Sequence, residues 1–226
     1  MSVALPPHRY KYHCEGSPKM GRKKSTLETS ETQQKLIDSA LDVFGNKGID
    51  GATVRAIADN AGVNQSLIFY HFGSVPELII AAVQQMSSAR FNVYKEELAK
   101  AKSIQDLIEI LFEVFEEDKA GTCYPVLNQF IAASQNDELM AKAAEPIFTM
   151  WLDLAKDSMV SVMGDVQLPN DMTLDDVAFA VISLFLGIQL MNSVNGYEAK
   201  VDSLLDHARH ATPMINILMS MFGTKL

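Results

Sequence analysis

The sequence predicts an all-α fold: an N-terminal three-helix domain built around a helix-turn-helix, followed by a larger C-terminal helical bundle. Three observations lead there. Apolar residues recur at three- and four-residue steps through most of the chain after residue 28, and no run alternates with period two between turn pairs. Ser30 with Gln33, and Ser74 with Glu77, stand as capping boxes at the start of periodic segments. The segments are separated by Gly, Pro and Asn-Asp breaks, the residues that punctuate helices.

Residues 1–28 hold Pro6, Pro7, Gly16, Pro18 and Gly21 without apolar periodicity and read as a disordered tail. The first helix is expected from Ser30, with Leu36, Ile37, Ala40, Leu41 and Phe44 as its buried face and Gly48 as its stop. A short second helix follows Thr53 and buries Ile57, Ala58 and Ala61. Gly62 breaks it, Val63 packs inward, and a third helix runs from about Asn64 to Phe72. Ser74 then caps a long helix reaching about Lys100, with Pro76 in the first turn, where a missing N–H costs nothing. Further helices are expected near 103–118, 123–135, 137–163, 173–194 and 200–222. The organisation is a basic tail over 1–28, a helix-turn-helix domain over 29–76 and a helical body over 77–226.

Composition narrows the class. Of 226 residues, 48% are hydrophobic and 21% charged, enough apolar material for a sizeable core. The longest apolar stretch, Phe179 to Met191, is 13 residues and is interrupted by Ser183, Gly187 and Gln189. A bilayer span needs about 20 residues, so no membrane partner is expected. No apolar leader occurs early in the chain, and Cys14 and Cys123 form no CxxC pair. A reducing, cytoplasmic setting is the expectation. There is no Walker loop, GxSxG elbow or HExxH motif, and His207 and His210 have no third ligand nearby in sequence. Neither an enzyme, a cofactor nor a metal is expected.

The net charge of −9 argues at first sight against nucleic acid, but the charge is unevenly spread. Residues 1–30 carry +4, residues 31–80 carry −3 and residues 81–226 carry −10. An acidic body with a basic leading arm confines any DNA contact to one end.

The second and third helices, joined by the tight Ala61-Gly62-Val63 turn, meet the requirements of a helix-turn-helix. The third helix sends Val63, Ile68 and Phe72 inward and leaves Asn64, Gln65, Ser66, Tyr70 and His71 outside. Asn and Gln bond bidentately to adenine, and Ser, Tyr and His donate to phosphate. Taken alone, a polar helix face is as readily a solvated one.

The stretch Gly51 to Leu78 resembles the DNA-binding domain of the TetR family of transcriptional regulators. The family's T-x-x-x-I-A-x-x-A-G-V core is matched by Thr53, Ile57, Ala58, Ala61, Gly62 and Val63. Its L-Y-x-H-F-x-S-K-x-x-L ending is matched in part by Ile68, Tyr70, His71, Phe72, Ser74 and Leu78, with Glu77 also present. The resemblance implies that Thr53 caps the second helix and touches phosphate, and that Arg55 reaches phosphate or a base edge. It further implies sequence readout by Asn64, Gln65 and Ser66, and a backbone grip by Tyr70 and His71. Two departures stand out: Phe69 where the family usually has Tyr, and Val75 where it usually has Lys. Both usual residues are phosphate anchors. Arg22, Lys23 and Lys24 in the tail are candidates to replace them; an inert extension is the alternative.

The resemblance also implies a dimeric, ligand-responsive regulator, a repressor by family habit, that binds a near-palindromic operator in double-stranded DNA and is released by a small, largely apolar effector. The pocket would draw on Phe112, Phe115, Tyr124, Leu127, Phe130, Phe148 and Trp151, each of which could equally serve as plain core, and Asn128 and Gln129 could add a polar handle. The homodimer contact would use Ile182, Phe185 and Ile188 with Ile215, Leu218 and Met219, because the segment from Asp175 to Val194 is too apolar to be buried on one face only. A small-molecule carrier or enzyme with a non-functional helix-turn-helix is the rival reading.

Overall fold

The computed structural model describes residues 24–118, 121, 123–164, 168 and 171–221, with side chains from Thr29 to Ala211 within those segments. Nine helices and no strand occur among the described residues: α1 Lys24–Gly51, α2 Val54–Ala61, α3 Ser66–Phe72, α4 Val75–Leu98, α5 Ile104–Asp118, α6 Cys123–Ser134, α7 Glu138–Met163, α8 Leu174–Asn192 and α9 Glu198–Met221. The all-α expectation holds, and the expected ends from α2 onward lie close to the observed ones.

The first helix differs. The helix already runs through Ser30, so Ser30 and Gln33 do not form a cap. No Gly or Pro stands between Lys24 and Gln34 to stop upstream growth, and adding a residue to an existing helix is easy. At its other end α1 breaks at Gly48 (φ 67°) but resumes for a further turn to Gly51. The other caps form as the residue types dictate. Thr53 Oγ1 accepts from Ala56 N at 3.2 Å, and Ser74 Oγ accepts from Glu77 N at 3.3 Å while donating to the Glu77 carboxylate at 2.8 Å. Thr173 and Asp176 make a reciprocal capping box at the start of α8.

The main core is built at the crossing of α1, α4, α6 and α7. Leu36 and Phe44 of α1, Ile57 of α2, Ile68 of α3, Leu78 and Val83 of α4, Val126 and Phe130 of α6, and Met140 of α7 are almost wholly buried. Full burial of each large side chain contributes about 1.5–3 kcal/mol. This core crosses the sequence position at which the helix-turn-helix domain was expected to end. Ser39 is buried with it and donates to the Ile57 carbonyl at 2.7 Å, fixing α1 to α2. Where α1 passes α6 the backbones come close: a Cβ on Gly45 would stand 2.8 Å from Val126 Cγ2.

In the body, α4 also packs on α7, and Trp151 Nε1 donates to Ser87 Oγ at 2.9 Å across that contact. Phe115 of α5 is buried against Val201 and Leu205 of α9. Helix α8 is anchored to α7 by Lys156–Asp175 at 2.8 Å, yet most of its surface is open. Its mean hydropathy is 1.8, and by length and composition it could cross a membrane. The expectation of no such segment counted only the 13 residues from Phe179 to Met191; the helix reaches 19 residues because it starts at Leu174, behind the Thr173 cap, and runs to Asn192.

Candidate functional site

The outer end of the molecule presents α3. Ile68 is fully buried beneath it, while Asn64, Gln65, Ser66, Phe69 and Tyr70 are exposed, Tyr70 at 77%. Residues four apart share a helix face, so Gln65 lies beside Phe69 and Ser66 beside Tyr70. Gly62 makes this geometry possible: it sits at φ 66°, ψ 34°, the left-handed conformation that ends α2 and turns the chain into α3. Asn64 has a local duty as well. Its Oδ1 accepts from Ser66 N at 2.9 Å and from Ser66 Oγ at 2.8 Å, shaping the start of α3.

His71 is half-buried, edge-on to Tyr70 at 4.8 Å, so it is less available than the polar pattern suggests. Thr53 is exposed at its cap, and Arg55 is exposed and paired with Asp59 at 3.4 Å. The sequence marks Phe69 only as a missing anchor. In the structure it is 53% exposed on the outer face of α3, where it is open to apolar contact with a partner. Arg22 and Lys23 lie outside the described residues, as does the Lys24 side chain.

A second site lies within the body. A partly open cavity of about 380 Å³ is lined by α4, α5, α6, α7 and α8, a size typical of small-molecule sites. Tyr124, Leu127, Phe148 and Trp151 line it, as the sequence suggests. Phe112 and Phe115 do not, because they face α9, and Phe130 is wholly buried in the main core. Nor is Gln129 a polar handle, since it lies against α1 beside Gly48. Ile182 and Phe185 turn inward and line the cavity, and Ile188 packs toward Phe115 and α9. The open side of α8 carries instead Phe179, Leu184, Leu190 and Met191. The side chains of Ile215, Leu218 and Met219 lie outside the described ones.

The polar part of the cavity wall goes beyond the sequence expectations. Arg90 and Asp118 form a buried ion pair with Nη2 2.5 Å from Oδ1. Asp118 Oδ2 accepts from Tyr94 Oη at 3.0 Å and from Tyr124 Oη at 2.9 Å. The Arg90 guanidinium also lies 5.3 Å from the Tyr94 ring centre. Burial pushes the Tyr94 and Tyr124 hydroxyls well above the ordinary tyrosine range, and the neighbouring Asp118 charge adds to this, so both remain protonated donors. Arg90 Nε and Nη2 are buried with no protein acceptor in hydrogen-bond geometry. Nη2 nevertheless stands against Asp118 Oδ1, so that carboxylate is its partner. Above these groups, Tyr94, Trp151 and Phe185 form an aromatic wall, with Tyr94 edge-on to Trp151 at 5.1 Å and to Phe185 at 6.4 Å. A trace of this site is present in the sequence: Arg90 and Tyr94 are one helical turn apart, on the stripe that includes Met86 and Leu98.

An open groove of about 820 Å³ runs outside, between α4 and α7. Leu98, Leu154 and Ser158 line both groove and cavity, so they form the partition between them. Helix α4 therefore begins next to α3, where Ser74 caps it, and carries Arg90, Tyr94 and Leu98 at the cavity.

Comparison with known proteins gives these two sites a context. Residues 36–82 match the family model of bacterial regulatory proteins, tetR family. Over 61 residues the chain is 38% identical to the HTH-type transcriptional regulator SrpR of Pseudomonas putida, a match covering 27% of this chain and 29% of that protein. The chain thus spans less than half the length of its 38%-identical curated relatives. Solved structures extend the likeness of fold. The reduced form of Escherichia coli NemR superposes with a TM-score of 0.66 at 15% identity, covering 79% of this chain and 96% of that one. A chain assigned as a transcriptional regulator from Saccharomonospora viridis, in complex with choline, superposes with a TM-score of 0.66 at 16% identity, covering 80% and 95%.

Proposed function

We propose, from the match of residues 36–82 to the model of bacterial regulatory proteins of the tetR family, that the chain is a ligand-responsive transcriptional regulator, a repressor that binds a near-palindromic operator as a homodimer and lets go when a small apolar molecule fills the cavity. The observation that carries this reading is the exposed α3 face of Gln65, Ser66, Phe69 and Tyr70, set on a fully buried Ile68 within the matched domain. The domain assignment is 29–76 for DNA reading and 77–226 for ligand binding and dimerisation, with the tail over 1–28. In the dimer, two α3 helices enter successive major grooves about 34–36 Å apart. Gln65, Ser66, Phe69 and Tyr70 read or grip DNA, Asn64 presents the start of α3, and Arg55 and Thr53 hold phosphate. Arg22, Lys23 and Lys24 supply phosphate contacts that Phe69 and Val75 do not.

The dimer contact uses the open side of α8, Phe179, Leu184, Leu190 and Met191, whose exposure in one subunit calls for cover. Covered in this way, α8 is an interface helix and the protein works in the cytoplasm without a membrane. The accessible wall of the cavity is almost wholly apolar, which favours binding over catalysis. Ligand in the cavity acts on Arg90, Tyr94 and Leu98 of α4, and α4 carries the change to α3. A coupling of about 1–3 kcal/mol lowers operator affinity about 5–150-fold.

The test is selection of binding sites from a random double-stranded library, followed by fluorescence anisotropy. The expected product is a two-fold site with half-sites about one helical turn apart. Gln65→Ala loses that preference while keeping the fold. A chain that selects no site, or a Gln65→Ala/Tyr70→Ala variant that binds the selected site unchanged, would return the function to the carrier alternative.

A further inference from the structure

We propose that Phe69 reads a base: its ring packs on the C5 methyl group of a thymine that lies close to the adenine read by Gln65. This rests on the reading of α3 as the DNA-contacting helix and adds which bases that helix selects.

Elimination along α3 leads to these two residues. Ile68 is wholly buried, and His71 is half-buried, edge-on to Tyr70. Asn64 Oδ1 accepts from both Ser66 N and Ser66 Oγ, so both its lone pairs are taken. Asn64 thus lacks the acceptor that a bidentate bond to adenine needs, and the Ser66 hydroxyl proton is spent on the same contact. Tyr70 keeps a hydroxyl with which to grip phosphate. What remains is Gln65, which has the donor and the acceptor that adenine requires, and Phe69, one turn further along the same side.

The chemistry of Phe69 leaves it one kind of base-edge partner. The tyrosine usual in the family at this position would offer a hydroxyl, whereas a phenyl ring has neither donor nor acceptor. Phe69 therefore cannot anchor a phosphate or pair with the polar atoms of a base edge. In the major groove the apolar group that a base edge presents is the thymine methyl. Packing the ring on that methyl takes both out of water, which turns the 53% exposure of Phe69 into a base preference. Four residues of helix rise about 6 Å, and successive base pairs stack about 3.4 Å apart, so the adenine and the thymine fall in one half-site about two steps apart.

The experiment is fluorescence anisotropy of the full chain on its selected double-stranded site, with each thymine in turn replaced by deoxyuridine. That replacement removes the methyl group and keeps the pairing edge. One thymine per half-site is expected to respond, with affinity falling about fourfold for one half-site and about fifteenfold for both, as loss of one buried methyl gives. In Phe69→Ala the thymine and uracil sites are expected to bind alike, and Phe69→Tyr, which keeps the ring, is expected to retain the difference. Each comparison is made within one variant, so a loss of folded protein cancels. Equal affinity of the parent for every uracil-substituted site would overturn the inference, as would an undiminished difference in Phe69→Ala. A selected site that ignores uracil removes the thymine contact and keeps the regulator reading. A chain that selects no site removes both.

Discussion

Replacing Asp118 by Asn leaves the Arg90 guanidinium buried without its counter-charge. The Asn carbonyl still accepts from Tyr94 and Tyr124, so the change isolates the ionic part of the site. The side chains of Arg90 and Asp118 are only 14% and 9% exposed, too little for water to replace the missing partner. Removing one member of such a pair costs about 3–5 kcal/mol. For a chain of this length each kcal/mol moves the melting temperature by about 2–4 °C, so Asp118→Asn should melt roughly 6–20 °C lower. Removing both charges has a different sign. In Arg90→Met/Asp118→Asn the Met fills the path of the Arg stem and no buried charge remains, so stability should return to within about 1 kcal/mol of the parent. Urea and thermal unfolding followed by far-ultraviolet circular dichroism measure both. A single variant as stable as the parent, or a double variant as unstable as the single, would refute the ionic account of the site.

Three further outcomes follow from other parts of the molecule. Tyr94 and Tyr124 hold folded-state pKa values above the ordinary 10.0, so the stability they contribute is fully present below about pH 10 and is lost as pH rises beyond it. Urea unfolding on either side of that value should show the loss, and Tyr94→Phe/Tyr124→Phe should flatten it. Gly45→Ala drives a methyl group to 2.8 Å from Val126 Cγ2 and should cost about 1–3 kcal/mol. Adding Val126→Ala should recover part of that in urea unfolding, whereas independent effects would simply sum. Alanine at Arg22, Lys23 and Lys24 should reduce the slope of log K against log salt by about 0.9 for each phosphate no longer neutralised, read by anisotropy on specific and random DNA alike.

The helical fold was legible in the sequence because its signals are local. Periodic apolar residues, Thr53 and Ser74 at caps and Gly62 at the turn each act within a few residues, and the helices formed where these fall. The polar α3 face was legible for the same reason: Ile68 at the buried position leaves Gln65, Ser66 and Tyr70 outside. Local rules failed where nothing stopped propagation, so α1 began ahead of Ser30.

Partnership between distant residues is another matter. Phe112, Phe115 and Phe130 are as apolar as Leu127 and Trp151, and composition cannot distinguish a cavity lining from a filled core. Which side of α8 turns inward depends on where α5, α7 and α9 lie, so Ile182 and Phe185 came to line the cavity while Phe179 and Leu184 faced out. Arg90, Tyr94, Asp118 and Tyr124 come from three helices, and only the packing of those helices brings them within hydrogen-bond reach. By itself the sequence determined the helices, the turn and the exposed polar face of α3, through interactions a few residues long. The tertiary structure decided the cavity, its buried charge pair and the exposed side of α8, because a buried charge or an open apolar face is defined by what the rest of the chain places against it.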